Sequence, residues 1–333
     1  MTLVLSSVKK LQQRRCVLLT DETVFALHGN TLLQQLGSDV TVITIAQGEH
    51  YKTRETVSFI ENQMLSNKHG RDSSLIAFGG GVVTDIGGFV ASTYCRGIPY
   101  TAVPTTLLGM VDAAIGGKNG INTSYGKNLI GTIYQPETLV LDPQFLKTLP
   151  EKEFSHGMAE VIKHSLVADS ELFLKLEEQS LEINEMLLRN YKIKSQIVSK
   201  DPFEQGCRRL LNFGHTVAHA IEKLSQYTIP HGQAVAYGLI YESILSSKYT
   251  GLPEEELFRI VSLIKNHCVL SGPLPFSKEA LFQAMIMDKK SQNGTPRCVF
   301  ISRIGNPVQA EGSYCMNLTL EMLFDQFPSE AAL

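Results

Sequence analysis

Five short runs in the first half of the chain, at 17–20 (VLLT), 40–45 (VTVITI), 75–78 (LIAF), 101–103 (TAV) and 139–141 (LVL), constrain the fold most. Several are nearly all apolar. A strand with one wet face alternates polar and apolar residues, whereas an uninterrupted apolar run belongs to a strand covered on both faces. Helix-forming stretches separate these runs, the pattern of a parallel α/β sheet. The texture changes at Thr148. The segment Thr148-Leu-Pro-Glu151 reads as a capping box with an early proline, and long helix-forming segments follow almost to the end. Only 297–303 still reads as a strand. The expected architecture is an α/β N-terminal domain, 1–150, with a parallel Rossmann-like sheet, followed by an all-helical C-terminal domain, 151–333, with the boundary near Pro150.

Length agrees with two domains, since 333 residues exceed what one core usually organises. A hydrophobic fraction of 43% with 19% charged residues fits a soluble globular protein and excludes a largely disordered one. The net charge of −3 gives no overall basic field for nucleic acid or anionic lipid, so any anion site must be local. The six cysteines, at 16, 95, 207, 268, 298 and 315, are scattered without a CxxC pair, as expected for reduced thiols in the cytoplasm. The N-terminal apolar run is too short for a signal peptide, and nowhere do about twenty apolar residues run uninterrupted.

The segment 204–222, EQGCRRLLNFGHTVAHAIE, carries the most chemistry. Arg208, Asn212, His215 and His219 fall at spacings of four, three and four. Read as one helix, they form a polar stripe between Leu210, Leu211, Phe213, Val217 and Ile221, with Gly214 as an interruption. Cationic and imidazole groups flanked by apolar residues need partners, and the natural ones are a metal ion and an anionic ligand in a cleft. The competing reading is the solvated side of an amphipathic helix.

In the first half, LIAFGGGVVTDIGGFVA runs from a strand through Gly79, Gly80 and Gly81 into a helix, where open amides attract phosphate. It departs from the dinucleotide fingerprint, because Thr84 stands at the third glycine and no acid follows about twenty residues on. A tight turn with packing glycines reads equally well. A Walker A loop is excluded for both Gly-Lys pairs, since Asp112 and Ile121 lie five residues before Gly117 and Gly126. Lys118 and Lys127 sit in glycine-rich loops with Asn119, Asn122 and Asn128, where they suit carboxylate or phosphate as point charges. In EFSHGMAEVIKHSL, Glu160, Lys163 and His164 share one helical turn. Glu160 and His164 are placed to face one another or to share a metal; a surface Glu–Lys pair is the alternative.

Taken together, GGGVVTDIGGFVA, RGIPY, PTTLL, VDAAIGGKNGIN, GKNLIG, GMAEVIKH, LLNFGHTVAHAIE and HGQAV resemble, in order and over nearly the whole chain, the 3-dehydroquinate synthase family. The resemblance implies a two-domain homodimer with an NAD domain, a helical domain and an active site in the cleft between them. It implies metal ligands at Glu160, His215 and His231, leaving positions open for substrate hydroxyls. His164 then drops out as a ligand, and His219 moves to the departing phosphate with Asn212 and one of Lys289 or Lys290. Lys118, Lys194, Arg208 and Asn128 match positions holding the substrate carboxylate and hydroxyls. Asp112, Lys127, Lys163 and Glu204 match others lining the pocket. Arg96 resembles the arginine that reaches the neighbouring subunit's site. For NAD the matching positions are Asp21, Glu49, Lys52, Gly80, Gly81, Val82, Asp85, Thr105, Thr106, Leu108, Phe145 and Thr148, with Lys118 and Lys127 beside them.

The implied substrate is 3-deoxy-D-arabino-heptulosonate 7-phosphate, anionic at both ends. The implied sequence is oxidation at C5 by NAD, phosphate elimination, re-reduction and intramolecular aldol closure, with zinc the expected metal and cobalt an acceptable one. The phosphate itself can take the proton. Three positions depart from the family pattern: Gln233 where Glu is usual, which removes a carboxylate behind the metal; Thr23 for Asn near the ribose; and Asn119 for Thr. Another NAD- and metal-dependent sugar-phosphate cyclase on the same scaffold is the alternative reading. The pair Lys194 and Arg208, a clamp for a carboxylate, separates the two. A polyol dehydrogenase would release NADH, and a degenerate binding protein would lack the ligand set.

Overall fold

The computed structural model describes residues 14–37, 39–287, 295–310 and 312–324, and the chain divides into two compact units, Met1–Pro150 and Glu151–Leu333. The first is built on a five-stranded parallel sheet. Its strands are β1 (Arg15–Asp21), β2 (Val40–Ile45), β3 (Ser73–Gly79), β4 (Tyr100–Pro104) and, after a hairpin of β5 (Lys118–Thr123) and β6 (Gly126–Ile133), β7 (Thr138–Leu139). The order is β2-β1-β3-β4-β7, with Leu18 level with Val42 on one side and Ile76 on the other. Four of the five runs lie within these strands, whereas β7 takes only Leu139 of the run expected at 139–141. Every residue of β3 and β4 is buried, which is why those runs lack alternation.

The two faces separate by residue parity. Val17, Leu19, Leu75 and Ala77 pack with Val57 and Ile60 of α2 (Arg54–Ser66) and with Ile86 and Val90 of α3 (Gly81–Thr93). Leu18, Ile76, Phe78 and Val103 pack on the opposite face with Leu32 and Leu36 of α1 (Asn30–Leu36). A period of two along each strand turns one apolar run into two cores.

The second unit is helical. Its helices are α4 (Glu151–Ala168), α5 (Ser170–Glu177), α6 (Ile183–Lys200), α7 (His215–Leu224), α8 (His231–Thr250), α9 (Glu254–His267), α10 (Lys278–Ile286) and α11 (Leu320–Phe324). Two small antiparallel ribbons accompany them: β8 (Arg297–Val299) with β11 (Cys315–Asn317), and β9 (Ile301–Arg303) with β10 (Asn306–Pro307). The strand expected at 297–303 is therefore two strands, and β10 and β11 were not expected. With two or three residues each, they are too short to show alternation.

Helix α4 is buried on every side from Ser155 to Val167. A helix buried all round must be apolar or must satisfy its polar groups within the protein, and Glu160, Lys163 and His164 lie in its centre. Thr148 closes a 3₁₀ turn before this helix, and its hydroxyl donates to Phe145 O at 3.1 Å.

Candidate active site

Close helix packing brings the three expected ligands together. A Cβ on Gly232, one residue into α8, would stand 2.4 Å from His156 Cα, so the start of α8 lies directly on α4. A Cβ on Gly238 would stand 1.9 Å from Gly214 O, which puts α8 equally close to the entry of α7. Gly214 itself adopts a left-handed backbone, φ 79°, and its amide donates to the buried Glu242 carboxylate at 2.8 Å. That turn breaks the segment expected as one helix. Arg208 and Asn212 lie on a 3₁₀ turn, Cys207–Asn212, while His215 and His219 begin a new α-helix.

Glu160 Oε1 lies 3.4 Å from His215 Nε2 and 3.5 Å from His231 Nε2. All three ligand atoms fall within 4.8 Å of one another. Two ligands about 2.1 Å from a tetrahedral ion are about 3.4 Å apart, so the donor set fits a zinc-sized divalent cation. Glu160 is fully buried, and neither carboxylate oxygen has an aligned hydrogen bond, although the Lys163 ammonium pairs with Oε2. A buried carboxylate without an aligned hydrogen bond needs positive charge beside it, which Lys163 supplies at Oε2 while Oε1 faces the two imidazoles. Burial alone would raise the Glu160 pKa, but Lys163 and His215 override it and hold the carboxyl well below the usual range. Burial would also make His231 less basic; Glu222 and Glu160 overcome this and push it up to about 10.

The far nitrogens of both imidazoles are engaged. His215 Nδ1 lies 3.2 Å from Phe213 O, and His231 Nδ1 lies 3.3 Å from Glu222 Oε2. A carbonyl accepts only from N–H, so this contact places a proton on His215 Nδ1 and makes Nε2 the nitrogen that faces Glu160. Sequence reading passed over Glu222. Its signal was the spacing of seven from His215, which places both on one face of α7. Gln233 turns elsewhere and donates to Ser271 Oγ at 2.6 Å.

The remaining polar residues of this unit are held individually. His164 Nδ1 meets Asn190 Oδ1 of α6 at 2.8 Å. His219 stands edge-on to His215, with ring centroids 5.7 Å apart. Lys194 and Arg208 are both buried, and Arg208 Nη1 donates to Pro202 O at 2.6 Å. Asn212 Nδ2 donates to the Glu204 carboxylate, and Glu204 has a left-handed backbone, φ 60°. Lys289 and Lys290 lie outside the described residues.

In the first unit, β1 and β3 are neighbours whose connections leave towards opposite sides of the sheet. At such a switch point the strand ends leave a crevice in which nucleotides bind. Asp21 ends β1, and its Oδ1 accepts from Val24 N at 2.9 Å; burial raises its carboxyl pKa. Gly79 ends β3, and Gly80 leads into α3 without a capping side chain, leaving the first amides of the helix open. A Cβ on Gly80 would meet Thr106 Cγ2 at 3.2 Å, and one on Gly81 would meet Ala113 Cβ at 3.2 Å. Thr105 N donates to Gly79 O at 2.9 Å. Val82 packs against the sheet core, and Leu108 opens the helical turn Gly109–Ala113, which contains Asp112. Phe145 stands edge-on to Phe78 at 5.2 Å, and Thr148 Oγ1 lies 2.8 Å from His28 Nε2.

Lys118 and Lys127 are on β5 and β6 of an antiparallel hairpin, not on loops as expected. The glycines that suggested loops are packing sites. A Cβ on Gly120 would meet Ile130 O at 2.8 Å, and one on Gly131 would meet Asn119 O at 2.2 Å. Asn122 and Asn128 tie the hairpin to the segment that carries Glu49 and Lys52. Asn122 Nδ2 donates to Glu49 Oε1 at 2.8 Å, Asn128 N donates to Asn122 Oδ1 at 3.0 Å, and Lys52 Nζ donates to Asn128 Oδ1 at 2.7 Å while pairing with Asp85. Burial works against the Lys52 ammonium, but Asp85 and Glu49 keep it charged beyond its usual range. Thr23 Oγ1 bonds Gln47 Oε1 at 2.8 Å. Arg96 is exposed within three consecutive positive-φ residues, Cys95, Arg96 and Gly97, at 51°, 68° and 115°.

Sequence models of the 3-dehydroquinate synthase N-terminal and C-terminal regions match residues 42–156 and 157–291. The 3-dehydroquinate synthase of Sulfurovum sp. (strain NBC37-1) is 40% identical over 297 residues, covering 87% of this chain and 85% of its own. Among solved structures, the 2-epi-5-epi-valiolone synthase of Streptomyces hygroscopicus subsp. jinggangensis 5008, with NAD+ and Zn2+ bound, superposes with a TM-score of 0.86 at 29% identity, covering 98% of this chain and 93% of that one. A 2-deoxy-scyllo-inosose synthase complexed with carbaglucose-6-phosphate, NAD+ and Co2+ has the same fold, with a TM-score of 0.86, 24% identity and coverage of 97% and 93%. Matching family models across both units, together with a relative of this identity and coverage, establish that the chain belongs to the 3-dehydroquinate synthase family.

Proposed function

We propose that this protein is a 3-dehydroquinate synthase, converting 3-deoxy-D-arabino-heptulosonate 7-phosphate to 3-dehydroquinate and phosphate. The observation that carries the reading is the convergence of Glu160, His215 and His231, with ligand atoms 3.4 and 3.5 Å apart around one point. These three residues hold a divalent metal, zinc or cobalt. Asp21, Glu49, Lys52, Gly80, Gly81, Val82, Asp85, Thr105, Thr106, Leu108, Phe145 and Thr148 hold NAD. When bound, NAD supplies reversible hydride chemistry and the metal supplies Lewis acidity towards substrate hydroxyls.

The chain's own residues bind, orient and neutralise. Lys194 and Arg208, buried cations, grip the substrate carboxylate, with Lys118 and Asn128 at the hydroxyls. His219 and Asn212, with Lys289 or Lys290, receive the departing phosphate. Asp112 and Lys127 of the first unit, and Lys163 and Glu204 of the second, are further residues assigned to the substrate. Lys163 balances Glu160 so that the ligand carboxylate stays ionised in a buried setting. The protein acts as a homodimer, with Arg96 presented to the neighbouring site by its strained turn. Six free cysteines support a cytoplasmic setting; no helix among the described residues is long and apolar enough to cross a membrane.

The test is incubation of the purified protein with the heptulosonate phosphate, catalytic NAD and zinc. Phosphate should appear in step with the cyclic product, and absorbance of NADH should not accumulate. Net NADH formation, or phosphate release without the ring, would refute the reading. The second reading, a cyclase acting on a sugar phosphate without a carboxylate, is favoured by the 0.86 TM-score to the valiolone synthase. Turnover of a carboxylate-free sugar phosphate that survives Arg208→Ala would select it.

A further inference from the structure

A further buried acid, Glu222, stands beside the proposed metal ligands. Glu222 is 4% exposed, and its Oε2 faces His231 Nδ1 at 3.3 Å, on the side of the imidazole away from Glu160. The two ligand histidines are thus supported differently: His215 by the neutral Phe213 carbonyl, His231 by an anion. His231 needs the stronger support, because it opens α8, its side chain is a third exposed, and it follows the segment Ser225–Pro230 rather than sitting inside a helix. Glu222, in contrast, lies on the same face of α7 as His215, so one rigid helix fixes both a ligand and the group that aims the other ligand. Gln233, the residue expected to influence the metal from behind, is committed to Ser271.

We propose that Glu222 is the positioning residue of this metal centre: its carboxylate accepts the Nδ1 proton of His231, holds the ring with Nε2 towards Glu160, and adds negative charge behind a neutral ligand. The proposal rests on the metal assignment above. A carboxylate behind an imidazole both selects the tautomer and makes the ligating nitrogen more basic, and loss of such a partner usually weakens metal binding by about 10- to 100-fold. Glutamine keeps an accepting oxygen but not the charge, so Glu222→Gln should lie between wild type and Glu222→Ala.

The experiment measures affinity for zinc alone by competition with a chromophoric chelator, and records the visible spectrum of the cobalt-substituted protein, for wild type, Glu222→Gln, Glu222→Ala and His215→Ala. The expected order of affinity is wild type, then Glu222→Gln, then Glu222→Ala at a loss of about 10- to 100-fold, with a cobalt spectrum altered in both Glu222 variants. Glu222→Gln is isosteric, so it decides the matter should Glu222→Ala fail to fold. Wild-type affinity and an unchanged cobalt spectrum in Glu222→Gln, with binding lost in His215→Ala, would overturn the role of Glu222 and leave the metal centre standing. Equal zinc binding by wild type and His215→Ala would overturn both.

Discussion

Asn119 fills the space that a side chain at Gly88 would need: its Oδ1 lies 2.0 Å from where a Cβ on Gly88 would stand. The Asn119 amide cannot withdraw freely, because Nδ2 donates to Gly117 O at 2.9 Å and to Tyr134 O at 2.8 Å, joining the start of the β5–β6 hairpin to its exit. Helix α3 and the hairpin that carries Lys118 and Lys127 are therefore fitted to each other at this point. Gly88→Ala should destabilise the protein by about 1–3 kcal/mol through overpacking. Adding Asn119→Thr, which shortens the opposing side chain, should recover part of that loss. Urea midpoints of the two single variants and the double variant check this; strict additivity would show that the contact is not the cause.

Lys52 is buried and pairs with Asp85, in the second turn of α3. Asp85→Ala removes the paired carboxylate and leaves Lys52 with Asn128 as an accepting group and Glu49 as the remaining nearby anion. The expected loss is about 3 kcal/mol, at the low end for breaking a buried pair, accompanied by weaker NAD binding. Lys52→Met/Asp85→Leu should regain stability but not NAD affinity, as read by denaturation and by nucleotide titration. Recovery of both would mean that the pair is structural only.

Removing the metal ought to expose the charge imbalance around Glu160. At a metal concentration about 1,000-fold above Kd, chelation should lower unfolding stability by about 4 kcal/mol. His215→Ala should lose metal content and activity together, weakening binding by more than about 100-fold, beyond the usual effect of a supporting group. Elemental analysis after desalting, beside differential scanning calorimetry with and without chelator, makes the comparison. Full activity in a metal-free His215→Ala protein would refute the ligand assignment.

His69 predicts an acid limit for the first unit. It is buried, with Nδ1 3.0 Å from Ser73 Oγ and Nε2 2.9 Å from Thr41 Oγ1. Burial, reinforced by Arg15, lowers its pKa below the ordinary value of 6.5. The unfolded chain therefore binds the proton more readily than the folded one. The stabilisation is complete above about pH 6.5 and is lost as pH falls through the depressed folded value. The slope of unfolding free energy against pH in that window should decrease in His69→Gln. An unchanged slope would assign the acid sensitivity to other groups.

The α/β sheet was legible because uninterrupted apolar runs are the direct signature of strands buried on both faces; four of the five runs lie within strands of one sheet, and the fifth meets β7 only at Leu139. The β5–β6 hairpin was not legible: Gly120 and Gly131 look like loop residues until the opposite strand is seen pressed against them. The family motifs, not the spacing, singled out Glu160, His215 and His231, and the fold brings Glu160 Oε1 within 3.4 Å of His215 Nε2 and 3.5 Å of His231 Nε2. Glu222 was not singled out, since an acid at the end of GHTVAHAIE looks like an ordinary surface residue in one dimension.

The sequence by itself determined which side chains exist to do chemistry, where strands give way to helices, and the family to which the motifs belong, because these depend on local periodicity and residue type. The tertiary structure alone decided that Gly232 and Gly238 let α8 lie against α4 and the turn before α7, that His231 thereby comes within 3.5 Å of Glu160, and that Glu222 rather than residue 233 stands behind it. Those are distances between segments far apart in the chain, set by how closely helices approach, and a linear pattern carries no measure of that approach.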